Sequence, residues 1–271
     1  PEEANLWKGT PEQYYQLYEV ASKHLKACFP DLMIGGYASC GFYAVLGGYI
    51  KAANSSERTE HFIDFLHGFL AHIRATDCPL DFFSWHCYKG VAEALAMDTF
   101  IHNVLEANGY GDLERHLNEW NNSTRADRHG KSYSSAAVAA MMCTMQHSHT
   151  DMLCYYDSRI TASAYGGFFA PLTHKPLCTY YSFKAFGELY RIGTEAACSW
   201  DEKDLCVLAA VSDTEKAVLV VNFSENTHPV SMSIGDGFVA YRIDETSFMD
   251  PVNISPTAFT MEPNQVILFL K

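Results

Sequence analysis

Two periodicities alternate along the chain up to about Ile192. Tyr14, Leu17, Tyr18, Ala21 and Leu25 recur at three- and four-residue spacing and predict a helix that ends near Cys28 with these residues on one stripe. Thr10-Pro11-Glu12-Gln13 supplies its start: a hydroxyl that caps the first amides, a proline at the first helical position and an acid in the first turn. Phe62, Phe65, Leu66, Phe69 and Ile73 predict a second helix from Ser56 to about Ala75. Helices are also expected over Val91–Asn108, closed by Gly109, over Ser134–His147 and over Tyr180–Tyr190. Short apolar runs between them read as strands: Leu32–Tyr37, Asp81–Tyr88, Glu114–Trp120 and Met152–Asp157. Strand alternating with helix at this spacing predicts parallel βαβ units.

After Gly193 the helical spacing disappears. Leu205–Val211, Ala217–Phe223, Val230–Ile234, Phe238–Ile243 and Val266–Leu270 are short strand patterns, separated by turns such as Ser224-Glu225-Asn226 and Gly235-Asp236-Gly237. An antiparallel β-sandwich is the expected architecture for residues 193–271, and an α/β domain for residues 1–192.

Composition narrows the class of partner. A net charge of −13, with no cluster of Lys and Arg, argues against nucleic acid and against an anionic membrane surface. No apolar run is long enough to span a bilayer. Nine cysteines are scattered without a C-x-x-C pair, an odd count that reads as free thiols and favours a reducing, cytoplasmic setting. Aromatic residues make up 14% of the chain, which reads for most of these rings as a Tyr- and Phe-rich core and leaves others available to line a pocket.

The chemistry concentrates at Leu117-Asn118-Glu119-Trp120-Asn121. A carboxylate ends an apolar strand and precedes the polar loop Asn122–Lys131, the position where a (β/α) barrel keeps its catalytic groups. Strict alternation puts His86 and Tyr88 on one face of their strand and Leu117 and Glu119 on one face of theirs. Cys154 and Tyr156 share a face of the last barrel strand. If those strands are parallel neighbours, His86, Tyr88, Glu119 and Tyr156 converge at one end of the sheet. An imidazole and phenols around a carboxylate keep it ionised and oriented, as a nucleophile requires.

The strand ending Asn118-Glu119-Trp120-Asn121 resembles the nucleophile strand of retaining glycoside hydrolases of the large (β/α)8 clan, and most of all glycoside hydrolase family 39, the β-xylosidase and α-L-iduronidase family. Leu6–Tyr15 is similar to the segment after that family's acid/base motif, and Met33–Gly36 and Asp81–Tyr88 to its fifth and sixth strands. Lys175–Tyr190 is similar to its last barrel helix, and the sandwich follows in the expected place. The resemblance implies the C-terminal part of a (β/α)8 TIM barrel over residues 1–192 and a β-sandwich after it. It implies a retaining glycosidase with Glu119 as nucleophile, with His86, Tyr88, Asn118 and Tyr156 binding the sugar, and with no metal or other cofactor. Pro1 is similar to the proline of the family's Asn-Glu-Pro motif, so the acid/base is expected immediately before it. The chain departs from the pattern at Tyr155-Tyr156, where the family usually has a tryptophan, and at Gly36-Tyr37, where a proline often follows the glycines.

Several residues have plainer readings. Trp120 reads as a packing residue on the outer face, and Asp157 and Arg159 line the pocket or form a loop ion pair. His147-Ser148-His149-Thr150-Asp151 has metal-ligand residue types but falls at the strand's N-terminal end, the stability face of a barrel. Glu2 and Glu3 fall after the motif's proline, in a loop, which argues against either as the acid. The rival to an active glycosidase is an inactive or carbohydrate-binding half-barrel, whose bare edges and apolar face need an N-terminal half or a second copy of the chain to cover them.

Overall fold

The structure is a computed structural model that describes residues 1–3, 5–49 and 56–271. The chain condenses into two compact units that interleave along the sequence. The first comprises Pro1–Cys87, Ala92–Trp120 and Ser148–Tyr155, and the second Tyr88–Val91, Asn121–His147 and Tyr156–Lys271.

The first unit is built on four parallel strands in the order β1-β2-β3-β4: β1 (Gly35–Ser39), β2 (Phe82–Cys87), β3 (Glu114–Trp120) and β4 (Met152–Tyr155). Helices α1 (Pro11–Cys28), α2 (Ser56–Ala75) and α3 (Val91–Ala107) accompany them. Thr10 caps α1 as its sequence predicts. Its hydroxyl accepts from the Gln13 amide at 3.3 Å and the Gln13 side chain accepts from the Thr10 amide at 2.9 Å, a complete capping box. The buried stripe of α1 is rotated from the expected one. Tyr15, Tyr18 and Ser22 are buried, whereas Leu17 and Leu25 face solvent. The tyrosine rings set this rotation, because Tyr15 packs on Phe65 and Tyr18 on Phe69 of α2 at centroid distances of 5.1 and 4.8 Å. Tyr37 of β1 joins the same group, 5.0 Å from both Phe65 and Phe69.

The strands begin in regular register and lose it toward their C-terminal ends. Trp85 pairs with Leu117 and His86 with Glu119, so Asn118 is an extra residue on β3. Ala38, at φ 61°, is the extra residue on β1. These are β-bulges, which interrupt the two-residue period and redirect the side chains that follow. Leu117 therefore lies on the face of Trp85, both fully buried, and not on the face of Glu119 as strict alternation predicts.

The second unit is layered around a six-stranded antiparallel sheet, β10-β9-β12-β7-β6-β5. These strands are β5 (Thr194–Ala196), β6 (Leu205–Val211), β7 (Lys216–Asn222), β9 (Val239–Asp244), β10 (Ser247–Val252) and β12 (Gln265–Leu270). One face packs on α4 (Ser132–Met145) and α5 (Cys178–Ile192), through Ala136, Ala140, Ala185 and Leu189 against Leu208, Leu219, Val221 and Leu268. The opposite face meets β8 (His228–Val230) and β11 (Phe259–Met261), an antiparallel pair, through Val218, Val220, Ile267 and Phe269. Cover on both faces explains why β7 and β12 read as continuous apolar runs and not as alternating strands. Small residues let α4 approach α5, and the Ser135 and Ser182 hydroxyls meet at 2.6 Å. Among the described residues no helix is long and apolar enough to cross a membrane.

Candidate active site

At the C-terminal end of β2 and β3 the register pairs an imidazole with a carboxylate. His86 Nδ1 lies 3.4 Å from Glu119 Oε2, and the two side chains are 14% and 33% exposed, so the pair is sheltered and still reachable. Burial holds the His86 imidazole below its usual value, against the upward pull of the Glu119 and Glu2 carboxylates. Beside Glu119 on β3, Asn118 has a buried Oδ1 with no hydrogen-bond partner.

Glu2 closes the end of β1. It is 6% exposed, and its Oε1 accepts from the Ser39 hydroxyl at 2.6 Å and the Cys40 amide at 3.0 Å. Burial, together with the Glu2 and Glu119 charges, pushes the Cys40 thiol up to about 11, so it stays protonated beside them. Glu2, His86 and Glu119 thus make one acidic, half-sheltered cluster along the C-terminal ends of β1, β2 and β3 in the first unit. The first and last of these are carboxylates, the group that nucleophilic and acid–base work on glycosides requires.

No protein-family model matches the chain. Over 107 residues, 39% of the chain and 18% of the relative, it is 33% identical to a β-xylosidase of Geobacillus stearothermophilus. A glucosidase from Croceicoccus marinus superposes with a TM-score of 0.73 at 18% identity, covering 97% of this chain and 65% of that one. A family 39 β-xylosidase from Caulobacter crescentus gives 0.72 at 18% identity, covering 100% and 64%. A monomeric β-xylosidase of the same species gives 0.71 at 15% identity, covering 100% and 67%. The chain has the fold of a family 39 glycoside hydrolase. It spans about two thirds of the length of those structures, and its match to the curated relative spans a smaller share of that protein. The family 39 architecture accounts for both halves of the sequence pattern, barrel strands first and antiparallel sandwich afterwards.

On this fold the expected site residues divide between the units. His86, Asn118 and Glu119 are together in the first. Tyr88 and Tyr156 are in the second, their rings edge to face with centroids 6.2 Å apart. Asp157 and Arg159 form the loop ion pair, at 2.8 Å. Trp120 is fully buried, its ring against Tyr155 at 5.1 Å. His149 stacks on His102 with centroids 3.7 Å apart, and Asp151 accepts the Arg115 amide at 2.8 Å. Among the described residues no group of three or more His, Cys, Asp or Glu side chains is placed to hold a metal. The burial of Glu2 has no signal in a loop sequence, and Asn121 and Tyr165 are not among the expected site residues. Asn121 is fully buried, and its Nδ2 donates to the carbonyls of Tyr156 and Tyr165 at 2.9 and 2.8 Å. The one available signal was an amide repeated at a strand end, Asn121-Asn122.

Proposed function

We propose that the protein is a retaining glycoside hydrolase of β-xylosidase type with Glu119 as its nucleophile. One observation carries the reading: Glu119 ends a parallel strand of a family 39 fold, opposite His86, with its Oε2 3.4 Å from the imidazole and a third of its side chain exposed. The Glu119 carboxylate attacks the anomeric carbon while the glycosidic C–O bond breaks, and a glycosyl ester forms. The leaving oxygen takes a proton from a second carboxyl, which the family resemblance assigns to the residue before the motif's proline. The same group then removes a proton from the water that hydrolyses the ester.

His86 acts in this reading as a neutral imidazole. With its proton on Nδ1 it orients the Glu119 carboxylate without neutralising it. Asn118 Oδ1, buried and unpartnered, accepts a sugar hydroxyl. A β-xyloside is the favoured substrate class because the curated relative and two of the similar structures are named β-xylosidases.

The test is covalent labelling. A 2-deoxy-2-fluoro-xylosyl fluoride should inactivate the enzyme and leave a glycosyl adduct on the peptide that carries Glu119. Glu119→Gln should lose about 10⁴-fold in turnover and regain part of it with azide. An adduct on another carboxylate, or wild-type turnover in the variant, would overturn the assignment. Sugar binding without hydrolysis in the unmodified protein would favour the carbohydrate-binding alternative.

A further inference from the structure

In the second unit the loop 156–165 is held at both ends by one side chain. Asn121 donates from Nδ2 to the Tyr156 carbonyl at one end and to the Tyr165 carbonyl at the other, and its Oδ1 accepts from the Ser123 amide at 2.7 Å. Inside the loop Asp157, 8% exposed, accepts from the Ser163 hydroxyl at 2.9 Å and pairs with Arg159 at 2.8 Å. The Tyr165 amide donates to the Ser163 hydroxyl at 3.1 Å. These bonds fix where the Tyr165 ring goes. Its centroid lies 5.0 Å from Tyr88, inclined at 39°, and 5.2 Å from Tyr156, at 84°.

Three tyrosines in mutual contact are ordinarily core. Here all three rings are half-buried, whereas Phe62, Phe65 and Phe69 are at most 2% exposed. The tyrosine cluster therefore keeps a solvent-facing side. A separation near 5 Å leaves no room for a ligand between the rings. A ligand on this cluster would lie across the rings, with its apolar face on them and its polar groups at the rim, beside Arg159. A pyranose meets that description, since it has a C–H face for stacking and hydroxyls around its rim.

Resting on the glycosidase reading above, the geometry points to Tyr165 as a third ring of a pyranose-stacking floor with Tyr88 and Tyr156, and to Asn121 as the residue that positions it. Tyr165 sets specificity by shape, rewarding a flat, equatorially substituted ring, and Asn121 acts only through the loop it closes.

The experiment is calorimetric titration of the full chain carrying Glu119→Gln with xylobiose and, separately, cellobiose, so that no turnover intervenes. Tyr165→Ala should weaken the tighter of the two by about 10-fold, and Tyr165→Phe by less than about twofold, because the ring and not the hydroxyl carries the contact. Both variants should stay cooperatively folded, and Tyr165→Phe should melt within about 2 °C of the parent, so that a binding loss in Tyr165→Ala is read on folded protein. Asn121→Ala should weaken binding to a similar extent, and the double variant should be no weaker than Tyr165→Ala alone. An amide with a purely structural role would add its loss to that of the ring. Undiminished binding in Tyr165→Ala, equal losses in the Ala and Phe variants, or no binding of either disaccharide to the parent would overturn the inference. Labelling at Glu119 separates the two readings. An adduct there with unchanged binding in Tyr165→Ala sinks the floor alone, and an adduct elsewhere with the binding loss intact sinks the nucleophile alone.

Discussion

The two ends of the parallel sheet use the same residue types to opposite effect. At the N-terminal end polar groups are saturated. Asp98, 2% exposed, accepts from the His149 amide at 3.0 Å and the Thr150 hydroxyl at 2.7 Å. Arg115 donates to the carbonyls of His149 and Gly111 at 2.6 and 3.1 Å and approaches His102 Nδ1 at 3.2 Å. Asp81 accepts from Lys26 and from the Ile34 amide, both at 2.8 Å. At the C-terminal end His86 and Glu119 meet at a looser 3.4 Å, and the Asn118 acceptor beside them has no partner. A buried polar group left unsatisfied costs stability, so an end that tolerates one has that capacity for something else. The strand-end bulges lie at this same end. Saturation marks the end that holds the sheet together, and the unpartnered Asn118 acceptor lies at the opposite end, where the proposed nucleophile is.

The sharpest way to break this comparison is to exchange the expected losses. Glu119→Gln should abolish turnover, as argued above, and leave the thermal midpoint within about 2 °C, because its side chain is a third exposed. Asp98→Ala should do the reverse. It strands two donors in a site that is almost fully buried, which costs about 2–3 kcal/mol in urea unfolding, while kcat/KM per folded molecule stays at the parental value. A loss of turnover in folded Asp98→Ala would show that the two ends are not separable.

These assignments differ in how far the sequence discloses them. The cap of α1, the bounds of β3 and the apolar runs of β7 and β12 are local patterns, and a local pattern is what a sequence shows directly. Glu119 was legible for the same reason, as an acid at the end of a strand. The faces of Leu117 and Glu119 were not, because one bulged residue between them cancels the two-residue period and leaves no compositional trace. The edge strands β5 and β11 are three residues each, too short for any period to develop. Strand β10 contains Pro251 and a left-handed Met249 at φ 65°, which hide it. Glu2, Asn121 and Tyr165 lie in loops, where position depends on long-range hydrogen bonds that no spacing rule encodes.

A subtler contrast lies in pH. Burial depresses the His86 imidazole, so the folded protein binds its proton less readily than the unfolded chain does. A depressed group contributes stability above its unfolded value, about 6.5, and loses it as pH falls toward the folded value. The orienting role also needs the neutral ring. Both stability and kcat/KM should therefore decline on the acid side of about 6.5. His86→Gln should flatten the stability decline and lower kcat/KM by about 10-fold near neutrality. An unchanged acid limb in that variant would remove His86 from the site.

The smallest effect belongs to Asp81 and tests the saturated end by the same linkage. Burial alone would raise this carboxyl, but the Lys26 ammonium and the Ile34 amide outweigh it and hold it below the usual carboxylate value. A depressed carboxylate stabilises the fold above its unfolded value, about 3.9, and the contribution fades as pH falls through the folded value. The Lys26–Asp81 pair is partly exposed, with side chains 31% and 26% accessible, so solvent screens it. Asp81→Asn should accordingly lower stability by about 1 kcal/mol or less at neutral pH, and the gap to the parent should close as pH falls through the folded value. Its salt dependence completes the test. The neutral side chain can still accept the Ile34 amide but cannot attract Lys26, so the loss should shrink as ionic strength rises. No gap at neutral pH would mean that the amide contact alone anchors β1 to the start of β2, and that charge has no part in holding this end of the sheet.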